Sequence, residues 1–123
     1  MSLKREKDQQ YKSKWDSILN FLINNSGYPI SGVARAGSRR QGDWNINSDL
    51  DIRFAIARDP PREEVYPKLK SLIKTNFKDS SVRIGSSYNV INIEIGELSF
   101  DLVLLSQSKF EKQVKTDKLE RIK

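Results

Sequence analysis

Residues 36–56 read AGSRRQGDWNINSDLDIRFAI, and their second half alternates strictly between apolar and other side chains. Successive side chains of a β-strand point to opposite faces of a sheet. One face of this segment then carries the apolar side chains of Leu50, Ile52, Phe54 and Ile56. Asp49 and Asp51 share the other face, close enough to hold one divalent cation. The segment therefore predicts a half-buried strand with two carboxylates on its polar face.

The residues before this strand predict a short strand over 30–36 that runs into Gly37-Ser38, followed by a polar loop from Arg39 to Ser48. Taken alone, a Gly-Ser pair is usually a turn. An isolated Asp-x-Asp is usually a solvated strand edge or a helix cap. These residues indicate a functional site only in combination with others.

A third carboxylate, Asp101, lies inside the apolar segment from Leu98 to Leu104. This segment and Val90 to Ile95 predict a hairpin around Gly96-Glu97, because a two-residue loop that opens with Gly fits a type II′ turn. The register then places Ile95 opposite Leu98, Ile93 opposite Phe100 and Ile91 opposite Leu102, with Asp101 opposite Asn92 on the other face. A charge in the core would be costly, so Asp101 either faces solvent on a half-exposed sheet or belongs to a site.

Three helices are predicted around these strands. The first covers residues 5–25 and has an apolar stripe of Tyr11, Trp15, Ile18, Leu19, Leu22 and Ile23. The second follows Asp59-Pro60-Pro61, with Glu63 and Glu64 in its first turn and a stripe of Val65, Leu69, Leu72, Ile73 and Phe77. The order of the elements predicts one α+β domain over residues 1–123, with a mixed sheet of about five strands and helices packed on one face.

The third helix is predicted over about 108–121, because Ser108 and Glu111 resemble a capping box. Its apolar stripe is irregular and consists of Phe110, Val114, Leu119 and Ile122. Such a stripe predicts either loose packing on the chain's own sheet or contact with a partner molecule.

The 123 residues contain no Cys and no His. Disulfides, thiolate or imidazole zinc sites and Ser-His-Asp triads are therefore excluded. Chemistry is left to carboxylates, lysines, hydroxyls or a metal held by oxygen ligands, most simply Mg²⁺. The formal net charge of +6 suits a polyanionic partner such as nucleic acid or a triphosphate, or reflects a basic solvated surface without a partner.

No apolar run approaches the ~20 residues that a membrane helix needs. The N-terminus has positive charge but no apolar stretch behind it, which argues against a secretory signal. With the absence of Cys, these features predict a cytoplasmic protein with no membrane partner.

The combination of Gly37-Ser38, a loop with a further glycine, and Ser48-Asp49-Leu50-Asp51-Ile52 resembles the signature of the DNA polymerase β-like nucleotidyltransferase superfamily. Phe100-Asp101-Leu102-Val103 is similar to its third-carboxylate motif. The resemblance covers about residues 28–106 and implies the minimal catalytic palm of that superfamily. Asp43 is a departure, since many members have Thr there.

By this resemblance, Asp49 and Asp51 would bind two Mg²⁺ ions, with Mn²⁺ as an alternative, and Asp101 would bind the catalytic one. All three would be catalytic residues. The implied reaction transfers a nucleoside monophosphate, with AMP from ATP favoured, to a hydroxyl of an RNA, a protein or a small molecule. Pyrophosphate is released.

The resemblance also implies a nucleotide-binding loop. Gly37 and Ser38 would hold the β and γ phosphates, and Arg39 and Arg40 would add positive charge. A palm of this size leaves one side of its nucleotide exposed, so a second copy, a helical protein or the acceptor itself is expected to close the site.

Two alternatives to an active enzyme remain open. One is a non-catalytic domain of the same fold that binds a nucleotide or a partner, for example as the antitoxin-like partner of a helical toxin protein. The other is a basic nucleic-acid-binding module whose carboxylates are incidental.

Overall fold

The structure is a computed structural model that describes residues 3–36, 50–96 and 98–123. In chain order, its elements are α1 (Leu3–Asn25), β1 (Ile30–Ala36), β2 (Leu50–Ile56), α2 (Arg62–Asn76), β3 (Ser80–Ile84), a 3-10 turn (Ser86–Tyr88), β4 (Ile91–Ile95), β5 (Leu98–Leu105), α3 (Gln107–Lys115) and β6 (Glu120–Arg121). Within these ranges, none of the helices combines the length and the apolar character that crossing a membrane requires.

The strands form one mixed sheet in the order β3-β4-β5-β2-β1-β6. Its central neighbours, β2 and β5, are parallel, and every other neighbouring pair is antiparallel. The α+β class agrees with the sequence-based prediction. The sheet has six strands instead of about five, because Glu120 and Arg121 add a short strand beside β1.

The hairpin of β4 and β5 confirms the predicted register. Ile95 pairs with Leu98, and Asn92 pairs with Asp101. Gly96 has a φ of +60°, a value that few residues other than glycine adopt, so the turn depends on this glycine.

Helices cover both faces of the sheet, so the prediction of helices on one face only was wrong. α1 and α2 pack on the face with the main core, which includes Trp15, Ile18, Leu22, Ile52, Phe54, Leu69, Ile73, Phe100 and Leu102. α3 covers part of the second face over a smaller cluster of Ala34, Ala55, Leu105, Phe110 and Leu119. Both β2-α2-β3 and β5-α3-β6 join parallel strands, and the two connections run in opposite directions across the sheet. Crossovers between parallel strands are right-handed in nearly all proteins. Two such connections that run in opposite directions therefore place their helices on opposite faces of the sheet.

The C-terminal helix is shorter than predicted and has a different cap. α3 ends at Lys115, not near residue 121. Its N-cap is Ser106, whose hydroxyl accepts from the Lys109 N–H at 3.3 Å, and the predicted cap Ser108 lies inside the helix. The helix stops early because the chain must return to the sheet edge to form β6.

The irregular apolar stripe of the C-terminal segment packs on the chain's own sheet. Phe110 and Leu119 are both buried in the cluster beneath α3. Ile122 packs against the main core on the other face. The stripe is irregular because its residues belong to a helix, a turn and the segment around β6, and not to a single helix.

Gly32 provides the close approach of α3 to the sheet. A Cβ at this position would lie 2.6 Å from Cε1 and 2.9 Å from Cζ of Phe110, whose ring is buried. We expect Gly32→Ala to lower the free energy of unfolding by about 1–3 kcal/mol, because the ring must shift in a packed cluster. Urea denaturation measures this, with Ser31→Ala as the neighbouring control.

The same substitution in a Phe110→Ala background tests the cause. Without the ring, Gly32→Ala should cost clearly less than in the wild type. An equal cost in both backgrounds would mean that Phe110 is not the reason for glycine at this position.

Tyr28 connects the turn after α1 to α2. Its hydroxyl donates to Glu64 Oε2 at 2.8 Å. Burial, and then the hydrogen bond and negative charge of Glu64, raise the pKa of Tyr28 to about 12. The unfolded value is about 10. The folded state therefore favours the neutral phenol, and this stabilisation is present below about pH 10 and lost as the pH rises towards 12.

We expect Tyr28→Phe to lower the free energy of unfolding by about 1 kcal/mol near neutral pH, through loss of the hydrogen bond to Glu64. The difference between wild type and variant should shrink as the pH rises above about 10. Denaturation of both proteins at about pH 8 and about pH 11 checks this, and the variant corrects for the other groups that titrate. A difference that stays constant with pH would contradict the assignment.

Candidate functional site

A row of polar residues crosses the second face of the sheet, beside the part that α3 covers. Arg83 of β3 pairs with Asn92 of β4, which pairs with Asp101 of β5, and Asp101 pairs with Asp51 of β2. We call these four residues the polar row. The residues before and after Asp51 and Asp101 in the chain are buried in the main core on the opposite face. Because side chains alternate along a strand, the two aspartates lie on the second face.

Asp51 and Asp101 lie side by side at the centre of the row. They are register partners on parallel strands, and neighbouring strands are about 4.8 Å apart. Both side chains are half-buried. The structure thus brings together two of the three carboxylates that the sequence predicted for the site, although they come from distant parts of the chain.

Asn92 holds the carboxylate of Asp101. Its Nδ2–H donates to Asp101 Oδ1 at 2.7 Å and to Ser99 Oγ at 3.1 Å, with a weaker contact of 3.4 Å to the carbonyl oxygen of Phe100. A hydrogen bond to an ionised acceptor is shorter and stronger than a neutral one. The sequence placed Asn92 opposite Asp101 but assigned it no role, and the signal that would have found it is the hairpin register.

Five of the predicted site residues lie outside the described residues: Gly37, Ser38, Arg39, Arg40 and Asp49. The described chain ends at Ala36 and resumes at Leu50, and Ala36 is the register partner of Asp51. The described part of the predicted site therefore consists of Asp51 and Asp101.

The oxygen atoms of the polar row are suitable ligands for a hard cation. Carboxylate and amide oxygens are ligands that Mg²⁺ accepts. Asn92 also has a buried Oδ1 without a hydrogen-bond partner, but its amide turns Nδ2 towards Asp101, so the ligands that the described row offers are the two carboxylates. Across residues 3–36, 50–96 and 98–123, no group of three or more His, Cys, Asp or Glu is placed to hold a metal ion. Asp49, the remaining predicted ligand, is not among these residues.

Two further polar side chains, those of Tyr66 and Arg62, bind backbone groups of β5 beyond the end of its pairing with β4. β4 begins at Ile91, opposite Leu102, so the backbone of β5 beyond that point has no strand on this side. The Leu104 N–H donates to the hydroxyl of Tyr66 at 2.9 Å. The Leu104 carbonyl oxygen accepts from Arg62 Nε at 3.0 Å and Nη2 at 2.7 Å. Burial raises the pKa of Tyr66, so the phenol stays neutral beside the strand. Both side chains therefore serve the fold.

A groove of about 300 Å³ lies next to this strand end, between residues 59–63 and 104–106. Two of its charged side chains are already engaged. Arg62 is bound to a backbone carbonyl, and Asp59 Oδ1 accepts from the Gln107 N–H at 2.8 Å at the start of α3. The groove is thus a junction between two helix starts, and the polar row is the better candidate site.

Comparison with known proteins identifies no family. No protein-family model matches the sequence. No curated protein matches it either. Any function assigned to this chain therefore rests on its own residues and their geometry.

Asn92→Asp tests whether the contact to Asp101 shapes the site. The substitution replaces a donor with a second carboxylate, so we expect a loss of about 1–3 kcal/mol in the free energy of unfolding at neutral pH. The double variant Asn92→Asp/Asp101→Asn restores one amide and one carboxylate, and most of the stability should return. Thermal and urea denaturation of the three proteins measure this. A double variant no more stable than Asn92→Asp would show that the two side chains are not coupled.

Proposed function

We propose that this chain is a Mg²⁺-dependent nucleotidyltransferase with the palm fold of the polymerase β-like superfamily. It would transfer a nucleoside monophosphate, with ATP as the favoured donor, to a hydroxyl acceptor. The observation that carries the proposal is the register pairing of Asp51 and Asp101 on the central parallel strands. Each carboxylate alone would suit a solvated strand. The pair creates a concentration of negative charge and oxygen ligands at one point of the sheet.

The pairing of Asp51 with Asp101 indicates a cation-binding site more than an incidental feature of the surface. Two carboxylates side by side repel each other, and a shared cation removes the repulsion. The hydrogen bond from Asn92 fixes the orientation of Asp101, as supporting hydrogen bonds do for ligating carboxylates.

In the proposed reaction, the acceptor hydroxyl oxygen forms a bond to the α-phosphorus of the triphosphate. The bond from that phosphorus to the bridging oxygen breaks, pyrophosphate leaves with the electron pair, and the hydroxyl proton passes to a base or to water. Bound Mg²⁺ would supply a lower pKa for the hydroxyl and neutralise the developing charge. Asp51 and Asp101 would hold the ions together with Asp49, and Asn92 would keep Asp101 in place.

The triphosphate would be held by the segment that begins after Ala36. Gly37 lets the backbone approach a phosphate closely, Ser38 offers a hydroxyl, and Arg39 and Arg40 add positive charge. Ala36 pairs with Asp51, so the described chain enters this segment next to the carboxylate pair. This position of Ala36 supports the proposal that the segment after it binds phosphate.

A second candidate function uses the same residues without turnover. A domain of this fold that binds a nucleotide or a helical partner protein would also retain the carboxylate pair. Mg²⁺-dependent labelling with α-³²P nucleoside triphosphates separates the two functions, because only the enzyme incorporates the label. The assay should include RNA, protein and small hydroxylated acceptors.

We expect Asp51→Asn and Asp101→Asn each to weaken Mg²⁺-ATP binding by about tenfold or more, because each removes a negative ligand from the shared site. Neither should unfold the protein, since both side chains are only half-buried. Titration calorimetry measures the affinity, and circular dichroism measures the fold. Glu94→Gln is the matched control, because it neutralises an exposed carboxylate on the same sheet face. Unchanged affinity in both Asp variants would remove the metal assignment.

A further inference from the structure

Strand β3 forms one end of the sheet, so only one side of its backbone has a neighbouring strand among the described residues. That neighbour is β4, which pairs with all five residues of β3 in a regular register. The other side of β3 is an edge, and we call it the β3 edge. Such an edge presents a row of N–H and C=O groups that can pair with another strand.

The hydrogen-bond pattern shows which backbone groups the β3 edge offers. The Gly85 N–H donates to the Val90 carbonyl oxygen at 2.8 Å, one register position beyond the pair of Ile84 and Ile91. Hydrogen-bonded and non-hydrogen-bonded pairs alternate along an antiparallel ladder. The N–H and C=O groups of Ile84 and Val82 therefore point outward, away from β4. Apart from β4, no described residue forms a backbone hydrogen bond with either of them.

The β3 edge lacks most of the features with which proteins block strand edges. Residues 80–84 read SSVRI, without proline, lysine or glycine, and their pairing with β4 contains no bulge. The one charged side chain, Arg83, pairs with Glu94 of β4 at 2.9 Å, so its charge is balanced within the chain. The free end of β5 differs, because two side chains of α2 bind its backbone there. Of these two edges, the chain therefore blocks only that of β5.

The β3 edge is complementary to itself. In an antiparallel pair of two copies, the outward residues of one strand face the outward residues of the other. A two-fold axis at Val82 meets this condition. It pairs the strands over their whole length, in the register Val82 with Val82, Ser80 with Ile84 and Ser81 with Arg83. An axis at Arg83 would instead place two arginines directly opposite each other, which destabilises a sheet.

We propose that the β3 edge is a dimer interface, at which two copies of this chain join their sheets by antiparallel pairing of β3 with β3. A second copy is favoured over a flexible peptide because its β3 is already extended and held by β4, so pairing costs little conformational entropy. The arrangement is isologous, as in the two-fold dimers that are the most common protein oligomers.

The interface does not depend on the proposed function. The β3 edge lies two strands away from β5, and the second copy extends the sheet in its plane. Register partners share a face, so the polar rows of both copies lie on the same face of the joined sheet. Five strand spacings, about 24 Å, separate the β5 strands of the two copies.

Sedimentation of the whole chain over a concentration series tests the proposal. We expect a monomer that forms a dimer with a Kd of about 10–100 μM, because a five-residue edge makes a small interface. A protein that stays monomeric up to about 1 mM overturns the proposal and makes a strand from a different protein the occupant of this edge.

Ile84→Pro removes an outward N–H and no hydrogen bond to β4, a position at which an edge strand tolerates proline. It should weaken dimerisation about tenfold or more, because the symmetric interface loses that bond twice. Ile84→Ala is the matched control, since it shortens the same half-buried side chain but keeps the N–H, and its dimer affinity should stay close to that of the wild type. Circular dichroism checks that both variants fold. Equal dimer affinity of the two folded variants overturns the proposal.

Substitutions at the exposed Ser81 test the register without changing the backbone. Ser81→Glu places a carboxylate opposite Arg83 of the second copy and should strengthen dimerisation about threefold, and Ser81→Lys should weaken it by about the same factor. Changes of the same sign in both variants overturn the proposed pairing, because it fixes Ser81 opposite Arg83.

Amide hydrogen exchange of the wild type tests the edge directly, whether or not the proline variant folds. Raising the protein concentration from about 10 μM to about 500 μM should slow exchange at Val82 and Ile84 several-fold, because their N–H groups become bonded in the dimer. Ser81 and Arg83 are the internal controls, since their N–H groups bond to β4 in both states. Exchange at Val82 and Ile84 that does not depend on concentration overturns the proposal.

Discussion

The parallel pairing of β2 with β5 underlies both the core and the candidate site. Partners in this register share a face, so Ile52 with Leu102 and Phe54 with Leu104 enter the main core together. The same register places Asp51 beside Asp101 on the other face. A slip by one residue would expose the apolar partners and bury the carboxylates, so burial of the core holds the carboxylates together.

The opposite directions of the two crossover connections explain why α3 does not cover this pair. α2 leads from β2 towards β3 and covers the main core. α3 leads the other way, from β5 to β6, so it covers only the sheet around β1 and β2 on the second face. The polar row lies outside that cover. The sheet therefore has one face packed against α1 and α2 and a second face that α3 covers in part.

The features that the sequence predicted are local ones. Alternation in β2 and the glycine turn at Gly96 were sufficient to place Asp51 and Asp101 on polar faces. The pairing of β2 with β5 could not be predicted from periodicity, because nothing in the pattern of β2 specifies β5 as its neighbour or a parallel direction. The short strand β6 was missed since two residues give no periodicity.

Tyr66 and Arg62 occupy the edge of β5 where another strand would otherwise pair. Exposed strand edges are templates on which a second molecule can add a strand and begin to aggregate. Here a phenol and a guanidinium satisfy the Leu104 amide and carbonyl from within the same chain. The two side chains thereby occupy the backbone groups of Leu104 that a strand from a neighbouring copy would otherwise bind.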